Sequence, residues 1–311
     1  ELLNNQKPTH MAVCFDTHAP TERHTDFADY KANRQETPED ILSAVPDIKR
    51  IIEGLNIPVI AIDGYEADDV IGALAKQAEK AGYEVYMVTP DKDYGQLVSE
   101  NIKIYKPGYQ GGSVEILGPE EVCSKWGIKK VSQVIDILGL MGDAVDNIPG
   151  IKGIGEKTAA KLLAEYETLE NILDKADQIK GSIGEKIRNG KDAAVMSKKL
   201  ATIITNVPTT FHEEDFRVKD PNRDLLKQVF EELEFRTIGK RILGEEIQQP
   251  SVAKPPISES AQMDLFGNAA VMPVTNDDTT TITGTEQHAA IKNIHTTAHR
   301  YMLVNTAESK I

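Results

Sequence analysis

Residues 58–93, PVIAIDGYEADDVIGALAKQAEKAGYEVYMVTPDKD, decide the fold class. The apolar run Pro58–Ile62 is short and bounded by Gly64, which predicts a buried strand. Apolar residues then recur at helical spacing over 67–81, and a second apolar run follows at Glu84–Thr89. A strand, a helix and a strand in succession make a βαβ unit, because parallel strands need a crossover long enough to hold a helix.

Working outward, Met11–Phe15 predicts an earlier strand, with weaker strands at Lys103–Tyr105 and Val114–Leu117. Helices are predicted at 38–54, 67–81, 119–126 and 131–141, the first with Thr37 as N-cap and Pro38 at the first helical position. Residues 1–147 therefore read as an α/β domain with a mainly parallel sheet. Over 148–245 the strand signal disappears and short helices broken by glycines predict a helical subdomain. Residues 246–298 are rich in Pro, Ser, Thr, Asn and Gln, the composition of a disordered linker. Residues 299–311, with Arg300–Asn305 strand-like, read as the start of a further domain.

The 311 residues carry a net charge of −14. Nucleic-acid proteins usually show a basic footprint, but bound cations reverse the local sign in a metal nuclease. Cys14 and Cys123 form no CxxC pair, which disfavours a zinc knuckle or disulfide framework and suits a reducing cytoplasm. No apolar run reaches the length of a membrane span.

Acidic residues recur at matching places in the pattern. Asp16 follows the first strand; Glu66, Asp68 and Asp69 follow Pro58–Ile62 at a helix start; Asp91 and Asp93 follow Glu84–Thr89. Asp143 and Asp146 come after the helix 131–141, where one further helical turn would place them on one face. A parallel sheet gathers the first three groups at its carboxyl edge, where open α/β folds place their sites. Such oxygen donors suit two or more Mg²⁺ or Mn²⁺ ions acting on a phosphoryl group. Any one group alone reads as a solvated helix cap; the recurrence favours metal.

Residues 148–163, IPGIKGIGEKTAAKLL, match neither a P-loop nor a dinucleotide fingerprint, because Glu156 separates Gly155 from Lys157 and the glycine order is wrong. A helix–hairpin–helix fits better. Gly150, Gly153 and Gly155 would bring backbone N–H groups to phosphates, with Lys157, Thr158 and Lys161 on the following helix. The competing interpretation is a plain glycine turn between packed helices.

With these residues in view, the chain resembles the 5′-nuclease domain of bacterial DNA polymerase I, a relative of the flap endonucleases. The motifs are FDTHAPTERHTDFADYKANR (15–34), GYEADDVIG (64–72), TPDKDYGQL (89–97), LMGDAVDNIPGIKGIGEKTAAKLL (140–163) and LATI (200–203). The resemblance covers about residues 1–245 and implies a PIN-like nuclease domain followed by a DNA-binding helical subdomain. It assigns metal binding to Asp16, Glu66, Asp68, Asp69, Asp91, Asp93, Asp143 and Asp146. Tyr30, Lys31 and Arg34 would lie on an arch over the site, the cations stabilising phosphate charge and the ring stacking an unpaired base. Arg23 is a further phosphate-contact candidate.

A monovalent cation at the helix–hairpin–helix belongs to the same expectation. So do flapped or nicked DNA and RNA primers as substrates. Pro90 stands where the family has Gly. The family's first strand and its metal-binding Asp would precede Glu1, so the sheet is expected to lack a central strand. The competing classes are a catalytically impaired DNA-binding module and a toxin-like PIN ribonuclease. Within the linker, QMDLF (262–266) resembles a sliding-clamp-binding peptide, with Gln262, Leu265 and Phe266 as its contacts.

Overall fold

The succession of strand, helix and strand read from residues 58–93 is present, but its two strands fall in separate sheets. In the computed structural model, which describes residues 2–108 and 113–244, the chain opens with α1 (Leu2–Asn5) and β1 (Val13–Cys14). Then come α2 (Glu22–Asp26), α3 (Glu39–Gly54), β2 (Val59–Ile60), α4 (Ala67–Lys80) and β3 (Val85–Val88). A 3₁₀ segment, Lys92–Leu97, leads to β4 (Ile102–Lys106), β5 (Glu115–Leu117) and α5 (Pro119–Trp126). The helical part comprises α6 (Val134–Met141), α7 (Glu156–Tyr166), α8 (Leu169–Asp174), α9 (Gly181–Asn189) and α10 (Lys191–Ala201). It ends with α11 (Glu213–Phe216), α12 (Arg223–Glu232) and α13 (Arg236–Leu243). The linker, the stretch 299–311 and the peptide Gln262–Phe266 lie outside the described residues.

All five predicted strands are present, four of them shortened and β4 extended by a residue at each end, in two sheets rather than one. β1 pairs in parallel with β2, Val13 opposite Val59. β3 pairs in parallel with β4, while β4 and β5 run antiparallel, with Ile104 opposite Leu117. A groove of about 520 Å³, lined by Cys14, Met87 and Leu74 among others, separates β1 from β3. Two boundaries move. Pro38 rather than Thr37 flanks α3, with no side-chain cap, and 131–141 divides into a 3₁₀ turn, Val131–Gln133, and α6.

The sheet half and the helical half share one core. Ile102 and Ile104 of β4 pack in the same cluster as Val134, Ile137, Leu138 and Leu140 of α6 and Leu163, Ile172 and Leu200 beyond it. Those four α6 side chains are fully buried, each worth on the order of 2 kcal/mol. α10 approaches α6 closely because position 139 is glycine. A Cβ there would lie 2.9 Å from Lys198 Cβ and 3.3 Å from Ala194 O. α4 turns Val70, Ala73 and Leu74 toward a second cluster with Phe216, and Leu226, Phe230 and Leu243 form a third beside Ile51 of α3 and Leu55, which follows it.

Candidate active site

The start of α4 organises the acidic residues. Asp16, leaving β1, accepts the Ala67 N–H through Oδ1 at 2.7 Å, so the first helical turn and the end of β1 are tied together. An acidic group belongs there because it meets the positive end of the helix dipole. Glu66, the N-cap, is buried, and its N–H donates to Asp69 Oδ2 at 3.1 Å.

Asp69 and Arg23 depart from their expected roles. Asp69 is fully buried, and Oδ1 accepts from Arg23 Nη2 (2.7 Å) and from the Ile204 N–H (2.7 Å). Its Oδ2 accepts from Arg23 Nη1 at 2.8 Å besides the Glu66 N–H. With both oxygens committed, Asp69 is a structural carboxylate and not a metal ligand. Arg23, 4 % exposed, also donates to Leu200 O (Nε, 3.0 Å), Thr202 O (Nη2, 2.9 Å) and Glu66 Oε2 (Nη1, 3.4 Å). A guanidinium has five N–H donors, and these contacts use them all, leaving none for a phosphate.

The segment carrying Tyr30, Lys31 and Arg34 lies against the carboxylates. Tyr30 is 4 % exposed, and its hydroxyl donates to Glu66 Oε2 at 3.1 Å. Burial, then Glu66, push that hydroxyl far above the usual tyrosine range. A ring so enclosed is not open to stack a base, so Tyr30 holds Glu66 instead. Lys31 Nζ pairs with Glu66 Oε1 at 2.8 Å and lies 4.0 Å from Asp146 Oδ2. Arg34 donates to Asp146 Oδ1 from both Nε, at 3.1 Å, and Nη2. The Lys31 N–H reaches Asp146 O, Asn33 reaches Ala144 O, and Asn147 reaches Asp29 O. The two segments are laced together.

Asp143 and Asp146 do not share a helical turn. α6 ends at Met141, and Asp143 pairs with Ile148 across a tight loop, N–H to carbonyl in both directions. The loop turns Asp146 toward Lys31 and Arg34, and Asp143 toward Lys92, whose Nζ also lies 3.3 Å from Asp93 Oδ1. Asp91 caps the 3₁₀ segment by accepting the Asp93 N–H at 2.9 Å. Burial depresses the Lys92 ammonium, but Asp143 and Asp93 outweigh it and hold the pKa above the usual value. Lys92 is the basic residue that sequence reasoning missed. Its signal was present, a lysine between two aspartates in DKD.

Burial, and then Asp69, push Asp68 up to about 7. Burial and Asp91 push Asp93 up to about 6 against the opposing pull of Lys92. Asp68 Oδ1 is buried without a hydrogen-bond partner. An orphaned, desolvated carboxylate oxygen among further carboxylates fits a hard cation. Among the described residues, however, no three His, Cys, Asp or Glu side chains come together as a ready-made cage. Lysine and arginine side chains neutralise the acidic groups pairwise instead.

The glycine loop joins α6 to α7 as a helix–hairpin–helix. Gly150 and Gly153 take positive φ, +58° and +80°, and Gly155 precedes the first turn of α7. Gly142 and Gly150 touch so closely that a Cβ on Gly150 would fall 2.3 Å from Gly142 N. The Gly150 N–H is not available to a phosphate, because it donates to the buried Ser197 Oγ at 2.9 Å. Gly153, Gly155, Lys157 and Lys161 are exposed, and Thr158 is half-buried. Lys186 Nζ donates to Gly153 O at 3.1 Å, an ammonium on a hairpin carbonyl.

Two family descriptions match the chain in succession: "5′-3′ exonuclease, N-terminal resolvase-like domain" over residues 1–127, and "5′-3′ exonuclease, C-terminal SAM fold" over 129–224. DNA polymerase I of Caldicellulosiruptor bescii is 41 % identical over 251 residues, 80 % of this chain and 29 % of that one. DNA polymerase I of Bacillus subtilis is 41 % identical over 249 residues, 79 % of this chain and 28 % of that one. The chain thus spans less than a third of the length of these relatives. Similar folds are T5 5′-exonuclease with bound zinc (TM-score 0.57, 17 % identity, 75 % of this chain and 86 % of that one) and the catalytic core of Rad2 with a DNA substrate (0.53, 19 %, 76 % and 79 %). No helix among the described residues is long and apolar enough to cross a membrane.

Proposed function

Because the chain belongs to the 5′-3′ exonuclease family, and carries that family's two domains in order, we propose that it hydrolyses phosphodiester bonds of DNA at 5′ ends and flaps. The observation that carries this reading is the set of strand-end and loop carboxylates with two raised pKa values and one orphaned oxygen. Divalent cations, Mg²⁺ or Mn²⁺, would be held by Asp16, Glu66, Asp68 and Asp146 on one side and by Asp91, Asp93 and Asp143 on the other. When bound, such ions supply an activated water and neutralise charge on the phosphate. The chain's own residues do the rest. Lys31, Arg34 and Lys92 exchange carboxylate partners for phosphate oxygens, which retains their charge at the place where negative charge develops. Tyr30 keeps Glu66 in place.

Gly153, Gly155, Thr158, Lys157 and Lys161 would grip the duplex backbone without reading its sequence. RNA primers in duplex with DNA, a cytoplasmic site of action and capture of a sliding clamp through Gln262, Leu265 and Phe266 complete the proposal. A second reading, a DNA-binding module that does not cleave, is favoured by the ion pairs that already satisfy the acidic groups. Cleavage of a labelled 5′-flap oligonucleotide with Mg²⁺ and with chelator decides between them. Magnesium-dependent release of the flap is expected. Duplex binding with no cleavage at any divalent concentration would establish the module instead.

A further inference from the structure

One helix touches both the glycine loop and the acidic site. Near its middle, α10 presents Ser197, fully buried, whose Oγ accepts the Gly150 N–H at 2.9 Å. Gly190, immediately before α10, packs so tightly that a Cβ there would lie 2.8 Å from Ile151 Cγ2 of the same loop. At the other end, Leu200 O and Thr202 O accept from Arg23, whose remaining donors hold Asp69 and Glu66. From Gly150 to Glu66 there is one hydrogen bond, about one turn of helix and one guanidinium.

A buried serine within a helix is a poor choice for packing alone. Alanine has the higher helix propensity and leaves no hydroxyl to satisfy. Serine is explained by its bond to the loop. Salt bridges brace the same helix on both sides: Lys199 Nζ meets Asp26 of α2, which carries Arg23, at 2.6 Å, and Lys198 Nζ meets Asp136 of α6 at 2.6 Å. A displacement at Ser197 therefore reaches Leu200 and Thr202 as a movement of a rigid element.

We propose that α10 couples duplex grip to the carboxylates: DNA seated on the glycine loop shifts α10 and, through Arg23, sets Glu66. Ser197 and Arg23 are positioning residues; neither touches substrate. The proposal rests on the nuclease reading and deepens it by stating how binding behind the junction governs the site.

The test uses the full chain and three readouts: duplex affinity, single-turnover flap cleavage in saturating Mg²⁺, and Mn²⁺ affinity by calorimetry with and without a plain duplex. In the wild type, duplex raises Mn²⁺ affinity by at least about fivefold, the lower end of ordinary coupling between sites. Ser197→Ala removes that rise and slows cleavage by a similar factor, while duplex affinity measured in chelator stays within about twofold of wild type. Lys199→Ala, at an exposed position, gives a partial loss without opening the core. An unaltered Mn²⁺ response in Ser197→Ala overturns the coupling. So does a wild type whose Mn²⁺ affinity ignores duplex, or a rate loss that merely follows lowered thermal stability across the two variants. A wild type that neither cleaves nor binds Mn²⁺ fails the nuclease reading itself, and the coupling with it.

Discussion

Replacing Arg23 by methionine tests the buried ion pair most directly, because the apolar stem is kept while the guanidinium, with its charge and five donors, is removed. Asp69 would remain fully buried and keep its bonds from the Glu66 and Ile204 N–H groups, but with no cation beside it. Leu200 O, Thr202 O and Glu66 Oε2 each lose a donor as well. Leaving one partner of a buried pair unmatched costs about 3–5 kcal/mol. At roughly 2–4 °C per kcal/mol for a domain of this size, Arg23→Met should melt about 6–20 °C below wild type. Calorimetry in chelator at pH 7.5 measures this free of metal effects. The double variant Arg23→Met/Asp69→Asn removes the orphaned charge and should recover at least half of the loss. A single variant melting within about 3 °C of wild type would refute the reasoning. Strictly additive losses would refute it too, because the two residues would then not share one interaction.

Lys157→Ala with Lys161→Ala should weaken duplex binding and lower the slope of log affinity against log salt by about 1.8, at roughly 0.9 per phosphate contact. An unchanged slope, measured by fluorescence anisotropy, returns the loop to a plain turn. Asp68 and Asp93, raised to about 7 and about 6, favour the protonated folded state. Their contribution to stability is present in acid and is lost as pH rises through those values. In chelator the melting temperature should therefore fall between about pH 4 and 7, while Mn²⁺ affinity rises over the same window; a flat Mn²⁺ titration from pH 5.5 to 8 would exclude both as ligands. Gly142→Ala places a Cβ 2.3 Å from Ile148 O at a φ of +72° and should prevent native folding of the Asp143–Ile148 loop. Circular dichroism and flap cleavage both matching wild type would contradict this.

What the sequence disclosed follows the range of the interactions. All five strands and the helices 67–81 and 119–126 rest on local periodicity and appear within a residue or two, whereas the pairing of the strands either side of 67–81 in one sheet does not. That carboxylates follow the ends of β1, β2 and β3 was legible, because the alternation of strands with helices marks where each strand ends. Contacts between distant residues were not. Nothing near Arg23 announces that its partners are Asp69, Leu200 and Thr202, so a buried arginine passed for a phosphate ligand. Asp143 and Asp146 invited a helical interpretation because they lie three apart. Gly142, at φ +72°, ends α6 first and sends them to opposite cations. Ser197 carried no signal, since its meaning depends on an N–H forty-seven positions earlier.

The single hydrophobic cluster running from β4 through α6 to α10 has a practical corollary for dissecting the protein. The boundary between the two matched family descriptions falls at residue 128, yet Ile128 is itself a member of that cluster. Cloning the first portion alone would leave β4 without α6, and cloning the second alone would leave α6 without β4; either exposes leucine and isoleucine faces to water, the circumstance in which fragments aggregate. Heating the intact assembly should give one calorimetric peak, with no intermediate in which the helical portion has melted and the sheets persist. Proteases should find their first cuts in surface segments rather than at the family seam. The seam records how lineages are classified; physically, the two portions stand or fall together.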